Sequence, residues 1–283
     1  MKIIIILFFL ILSQEIFSKK LLKKISKDIS KNLANSIRSE YDQRLIFNDE
    51  EVISRDENIY KDKKLITISP GGLRGFYELG VCKFLKEEYN FDNYIFSGAS
   101  AGSWCSLFMC KKDDDYEFIK TIQKIDYEKF NEIYTIEQLL KYEILKNFKS
   151  SDFNLEKLFI GVTVLDKCKL ITNIYSDFDS LNDAIECCIA SSHIPFITGR
   201  IRHKYRGKCV LDGGFSTYPY LKIIEPTLHI SPNIWGKSPE NFMDFNDLNL
   251  RRKNINKILY NYFQDGYHDS FINNNKTKQI LTQ

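Results

Sequence analysis

No stretch of this sequence stays apolar for long enough to cross a membrane as a helix. The run from Ile3 to Leu12 has the length of a signal-peptide core, whereas a helical span needs about 20 apolar residues. Excess charge of one sign is also missing. Forty Lys and Arg against 37 Asp and Glu leave a net charge of +3, which argues against a nucleic-acid-binding protein, where a strong basic excess is expected. A disulfide framework is lacking too. The seven cysteines (Cys82, Cys105, Cys110, Cys168, Cys187, Cys188 and Cys209) are odd in number and show no framework spacing, so they read as free thiols. There is no internal repeat and no low-complexity tract. Histidine is scarce, with four residues in the chain, and this limits the candidates for a catalytic base.

What is present is ordinary for a globular enzyme. A chain of 283 residues, 43% hydrophobic and 27% charged, can bury one sizeable core with an extension, and wholesale disorder is excluded. Residues 1–18 read as a hydrophobic signal or anchor segment. Lys19, Lys20, Lys23 and Lys24 follow it directly, and such clusters tend to stay on the cytosolic side. Membrane association through this segment is therefore expected, within the secretory pathway or on the other face. In residues 19–63, Leu22, Ile25, Ile29, Leu33 and Ile37 recur at helical spacing between basic residues. This is a basic amphipathic helix, suited either to an anionic membrane surface or to packing on the domain. Glu40 to Lys63 is polar and reads as a linker, and residues 64–283 form the main domain.

Within that domain, Leu65-Ile-Thr-Ile68 is a β-type run, and Pro70-Gly-Gly-Leu-Arg-Gly75 follows it. Tyr77, Val81, Phe84 and Leu85 then repeat at helical spacing. Strand, glycine turn and helix is an arrangement that points free N–H groups at an anion. Pro70 stands where the first glycine of a dinucleotide fingerprint should be. An oxyanion hole needs only N–H donors from Gly71, Gly72, Leu73 or Arg74. Tyr94-Ile-Phe-Ser-Gly-Ala-Ser-Ala-Gly102 repeats the theme. Gly98-Ala-Ser-Ala-Gly102 is a G-x-S-x-G elbow, in which a serine on a sharp strand-to-helix turn needs small neighbours. Two successive βα units imply a parallel pair with a helical crossover, so Ser100 and the Gly71 loop lie at the same sheet edge, where open α/β sheets bind ligands.

Residues 112–150 are helical in pattern and either cover the site as a lid or pack on the sheet. Residues 157–164 and 169–175 read as strands, and Ser180 with Asp183 as a cap opening the helix Leu181 to Ser191. Lys208-Cys-Val-Leu-Asp-Gly-Gly214 then delivers Asp212 at the end of a short strand, with Gly213 and Gly214 turning the chain away. A serine hydroxyl needs a base. In the order Ser, acid, His, only His229 or His268 follows Asp212, and nothing around His229 marks it beyond a strand end. The pattern fits a Ser–Asp dyad with Asp212 accepting the proton directly. General-base help is worth about 10²–10⁴-fold and one oxyanion donor about 2.7–4 kcal/mol, so such a dyad is energetically adequate.

Taken together, Gly71-Gly-Leu-Arg-Gly75 with Phe76-Tyr-Glu-Leu-Gly80, Gly98-Ala-Ser-Ala-Gly102, Ala190-Ser-Ser-His-Ile-Pro195, Arg206–Gly214 and Gln264–Asp269 resemble the patatin-like phospholipases in order and spacing. The resemblance implies a three-layer α/β/α sandwich on a mainly parallel sheet, and hydrolysis of acyl esters in phospholipids or acylglycerols at a membrane surface. It assigns Ser100 as nucleophile, Asp212 as proton acceptor and Gly71 to Arg74 as oxyanion hole, supported by Gly75, Gly98, Gly102, Gly213 and Gly214. No metal or other cofactor and no nucleic-acid partner is expected. Pro70, replacing the family's first loop glycine, is a departure that removes one N–H. Acyl transfer or thioester hydrolysis at the same site, or a non-catalytic membrane-binding module, are the alternative readings.

Overall fold

The computed structural model describes residues 51–53, 60, 62–113, 115–130, 132–166, 169–199, 202–236 and 253–282. Backbone proximity separates Met1–Phe47 from Asn48–Gln283, and the description below concerns the second unit. The anchor of residues 1–18 and the amphipathic helix at 19–38 lie outside the described residues. The expectation of membrane association through an N-terminal segment is corrected here. No helix among the described residues is long and apolar enough to cross a membrane.

Eight strands form one sheet. β1 (Glu51–Ile53), β2 (Lys64–Ile68), β3 (Tyr94–Ala99), β4 (Leu158–Asp166), β5 (Lys169–Tyr175) and β8 (Pro226–Ile230) run in the order β1-β5-β4-β3-β2-β8. Four of those five pairings are parallel, β4 with β5 being the antiparallel one. A short hairpin, β6 (His203–Tyr205) with β7 (Lys208–Leu211), joins through β7, which pairs antiparallel to β4. The helices flanking the sheet are α1 (Gly75–Glu88), α2 (Ala101–Met109), α3 (Tyr116–Gln123), α4 (Ile133–Asn147), α5 (Leu181–Ser191), α6 (Ile255–Ile272) and α7 (Asn274–Leu281). The mixed α/β architecture is the one the sequence implied. One stretch differs from expectation. Glu51–Ile53 and Tyr60, in the stretch read as a linker, belong to the domain, the strand as a sheet edge and Tyr60 buried edge-on against Phe159.

The central strands are largely apolar because both of their faces are covered, as expected for parallel strands. Ile66, Phe96, Leu158, Ile160 and Tyr175 point into the larger core with Val81, Phe84 and Leu107. Their neighbours Leu65, Ile95, Phe159 and Ile174 point the other way, against Tyr60 and Leu221. That one-residue alternation is the pleat of the strand. α5 opens where its cap was read, with Ser180 Oγ accepting the N–H of Asp183 at 3.2 Å.

Register explains how two distant segments meet. β3 runs parallel along β4 until Ala99 stands opposite Gly161. β7 runs antiparallel along the same edge of β4 until Leu211 stands opposite Thr163. The two strands approach from opposite ends and stop just short of each other, so the residues that follow them, Ser100 and Asp212, face one another.

Candidate active site

The elbow is built by backbone crowding. A Cβ on Gly98 would overlap Gly102 O and Ser106 Oγ, and one on Gly102 would overlap the carbonyls of Ile68 and Ser69. Only glycine leaves the turn this tight. Ser100 pays in strain, with φ 53° and ψ −127°, a region sparsely populated by residues other than glycine and costing about 1–3 kcal/mol. The turn is held by Ser191, whose Oγ accepts the Ser100 N–H at 2.8 Å and donates to Gly161 O at 2.6 Å. Ser103 Oγ donates to Ser100 O at 2.6 Å.

Ser100 Oγ donates to Asp212 Oδ2 at 2.7 Å. Asp212 is 1% exposed, its Oδ1 accepts the Gly214 N–H at 2.6 Å, and its own N–H donates to His193 O at 2.7 Å. Burial raises its pKa to about 6, although the hydrogen bonds from Ser100 and from Gly214 pull the other way. Desolvation therefore dominates and makes this aspartate a better base than an exposed one. Gly213 and Gly214 are close-approach glycines. A Cβ on Gly213 would overlap Gly161 O and Ala99 Cβ, and one on Gly214 would press on Asp212 Oδ1 and on the ring of Pro70. Pro70, the departure from the family pattern, thus packs against the aspartate turn.

The glycine loop lies beside this pair. Gly72 has φ +53°, a left-handed conformation that glycine adopts without strain, and Gly72–Arg74 form a single 3₁₀ turn leading into α1. The four anticipated donors are not equivalent. The Arg74 N–H is committed to Gly71 O at 3.0 Å. Gly72 and Leu73 line the cavity that contains Ser100 and Asp212, together with Gly75 and Ala101. Ala101, at the first position of α2, was not singled out from the sequence, though its N–H belongs to the first helical turn and has no intrahelical partner. Gly75 lies against Ala101, where a Cβ would press on the alanine methyl.

The loop is supported from below by Glu78, which is fully buried. Its Oε1 accepts from Ser69 Oγ at 2.7 Å, and its Oε2 lies 2.8 Å from where a Gly71 Cβ would stand. Burial holds the carboxyl well above the ordinary glutamate range, against the smaller effect of Ser69. A charged group under the loop is thereby avoided.

Among the described residues, no histidine side chain stands between Ser100 and Asp212, which bond directly. His229 Nδ1 is 2.8 Å from Thr67 Oγ1, its strand partner, and burial lowers its pKa. Neither His229 nor His268 lines the cavity. Among the described residues, no group of three or more His, Cys, Asp or Glu side chains could hold a metal ion.

The cavity itself is about 150 Å³ and apolar, running from the Ser100–Asp212 pair between α1, α2, α3 and α4. Its walls include Phe76, Leu79, Trp104, Phe118, Leu140 and Ile144. The helices of 112–150 therefore both pack into the core through Phe118 and Ile144 and wall the site. Trp104 donates from Nε1 to Ser192 Oγ at 3.1 Å, and Ser192 lines the same cavity.

Sequence reasoning quoted Ser191 within the Ala190–Pro195 motif without giving it a role, and passed over Gly161. Gly161 had a usable signal, a glycine inside an apolar strand, which marks close backbone approach. A Cβ there would overlap Pro219 O.

No curated protein matches the chain. Among solved structures, VipD from Legionella pneumophila aligns at 15% identity and a TM-score of 0.31 over 70% of this chain and 55% of that one, so this chain spans about half of its length. The family described as patatin-like phospholipase matches residues 66–221, more than half of the sequence and all of the site from the glycine loop to Asp212. By that match the chain belongs to the patatin-like phospholipase family.

Proposed function

We propose that this protein is a serine lipid acyl hydrolase that cleaves fatty-acyl esters of phospholipids or acylglycerols through an acyl-serine on Ser100. The observation that carries the reading is the 2.7 Å hydrogen bond from Ser100 Oγ to a buried Asp212 at the head of an apolar cavity. The cavity takes the part of the fatty-acyl chain next to the ester, whose burial removes apolar surface from water. Ser100 Oγ attacks the ester carbonyl as its proton passes to Asp212 Oδ2, and the carbonyl oxygen becomes an oxyanion facing the Gly72–Leu73 turn. N–H donors aimed at that oxygen favour the tetrahedral state over the planar ester. Collapse breaks the ester C–O bond, and the departing alkoxide takes the proton from Asp212. Water then attacks the acyl-serine with Asp212 again accepting a proton, and fatty acid and free Ser100 result.

Arg74 is the least useful of the four loop positions as an N–H donor, since its N–H already has an acceptor. The test is a fluorophosphonate probe followed by product analysis on mixed phospholipid vesicles. Labelling of the wild type, none of Ser100→Ala, and release of free fatty acid support the mechanism. Asp212→Asn is expected to be nearly inactive and His229→Ala active. The opposite pattern sinks the dyad, transfer of the acyl group to an added alcohol instead of water identifies a transferase, and an unlabelled folded wild type leaves a lipid-binding module.

A further inference from the structure

Five acidic side chains are buried in the described residues: Glu78, Asp115, Glu137, Asp212 and Asp269. Four have polar partners. Ser69 meets Glu78, Lys86 meets Asp115 at 2.9 Å, Ser100 meets Asp212, and Tyr77 donates to Asp269 at 3.1 Å. Glu137 is the exception. It is 5% exposed and makes no hydrogen bond or ion pair among the described residues, and it lines the same cavity as Ser100 and Asp212. Its place on α4 makes this unusual, because Ile133, Ile136, Leu140 and Ile144 form one apolar stripe along the cavity wall and Glu137 interrupts it. Buried polar groups are nearly always hydrogen-bonded, and an apolar residue would fit the stripe at no such cost. Burial, and secondarily the charge on Asp212, keep its carboxyl neutral well above the ordinary glutamate range. A neutral carboxyl carries one O–H donor and a carbonyl acceptor, which together match a hydroxyl group.

We propose that Glu137 is a specificity-determining residue that hydrogen-bonds an oxygen function on the acyl chain, so that the cavity selects hydroxylated fatty-acyl groups over plain ones. The proposal rests on the lipid-hydrolase reading for its substrate class, but the binding preference is separable from catalysis. A plain chain leaves the Glu137 carboxyl unpaired when the cavity is filled, whereas a hydroxylated chain supplies the missing partner. Sites with a buried polar group discriminate strongly against analogues that leave it unsatisfied.

Free fatty acids carry no ester, so wild-type protein can be titrated without turnover. Stearate and a positional series of monohydroxystearates would be compared by displacement of a fluorescent fatty acid. At least one hydroxyl position is expected to bind roughly 10-fold or more tightly than stearate. Glu137→Leu and Glu137→Met should bind stearate more tightly and lose the preference, while Glu137→Gln, which keeps a donor and an acceptor, should retain it. Equal affinity along the whole series, absence of binding by every member, or a preference surviving in both apolar variants overturns the proposal. The wild-type series decides even if the apolar variants fail to fold. Hydrolytic failure is read separately, since an enzyme unlabelled by fluorophosphonate that still prefers a hydroxystearate retains the Glu137 selectivity and loses only the hydrolase reading.

Discussion

Ser191 bridges Ser100 and Gly161, accepting the N–H of the first at 2.8 Å and donating to the carbonyl of the second at 2.6 Å. One hydroxyl therefore ties the elbow to β4, the strand at which β3 and β7 both stop. Ser191→Ala leaves a buried N–H and a buried carbonyl without partners, at about 1–3 kcal/mol. A lower melting temperature and a fall in kcat/KM of roughly 10–100-fold are expected. Unchanged melting and labelling rate would show that the bridge is dispensable.

Under the proposed dyad, the protonation of Asp212 sets the acid limb of activity. Its pKa is raised to about 6 by burial, and the base form is the ionised one, so kcat/KM should rise about tenfold per pH unit up to about 6 and then level off. A group raised on folding contributes stability below its ordinary range, and that contribution is lost as pH climbs through 6. Loss of activity between pH 6 and 5 is therefore not acid unfolding driven by this residue. A pH–rate profile flat down to 4, with the fold intact by circular dichroism, would contradict the assignment.

Glu78 lies beneath the glycine loop, against Gly71 and Ser69. Because burial raises its pKa above the ordinary 4.5, the wild type should lose stability from this group as pH rises through the raised value. Glu78→Gln removes that loss while keeping an acceptor for Ser69, and is expected to melt at a higher temperature than wild type at pH 8 with kcat/KM within about threefold. Glu78→Ala should cost about 2 kcal/mol or more by leaving a void and an unpaired Ser69 hydroxyl under Gly71. Identical pH dependence of melting in wild type and Glu78→Gln would refute the neutral-carboxyl account.

The glycines of the elbow differ sharply from those elsewhere. Gly98→Ala and Gly102→Ala drive a methyl group into backbone carbonyls and should yield no folded protein. Gly236 has positive φ, which Gly98 and Gly102 do not, but nothing lies within 4 Å of its Cβ direction, so Gly236→Ala should cost only about 1 kcal/mol. Soluble expression and urea midpoints of the three variants provide the comparison.

Much of the site was legible in the chain because it is local. The Gly98–Gly102 elbow, the Gly72 turn and the Asp212 turn each combine a short strand with small residues whose spacing reports a backbone constraint. The helix at Leu181–Ser191 was legible for the same reason, since its cap lies three residues away along the chain. Ser191, Gly161 and Glu137 were harder, because their roles depend on partners remote in sequence. Ser191 bonds across 91 residues to Ser100, and Glu137 matters only because α4 turns it into a cavity shared with Asp212.

The sequence by itself determined the parallel βα repeat, the nucleophile candidate and the aspartate candidate, since strand propensity and glycine turns are written within ten residues. Tertiary structure alone decided which loop residues line the cavity, where the histidines go, and which buried carboxyl is left without a partner. Those outcomes depend on register between strands and on desolvation inside the fold. Neither is encoded at any single position: β3 and β7 reach their shared edge of β4 only after the sheet is assembled, and only then does burial raise the pKa of Asp212 beside Ser100.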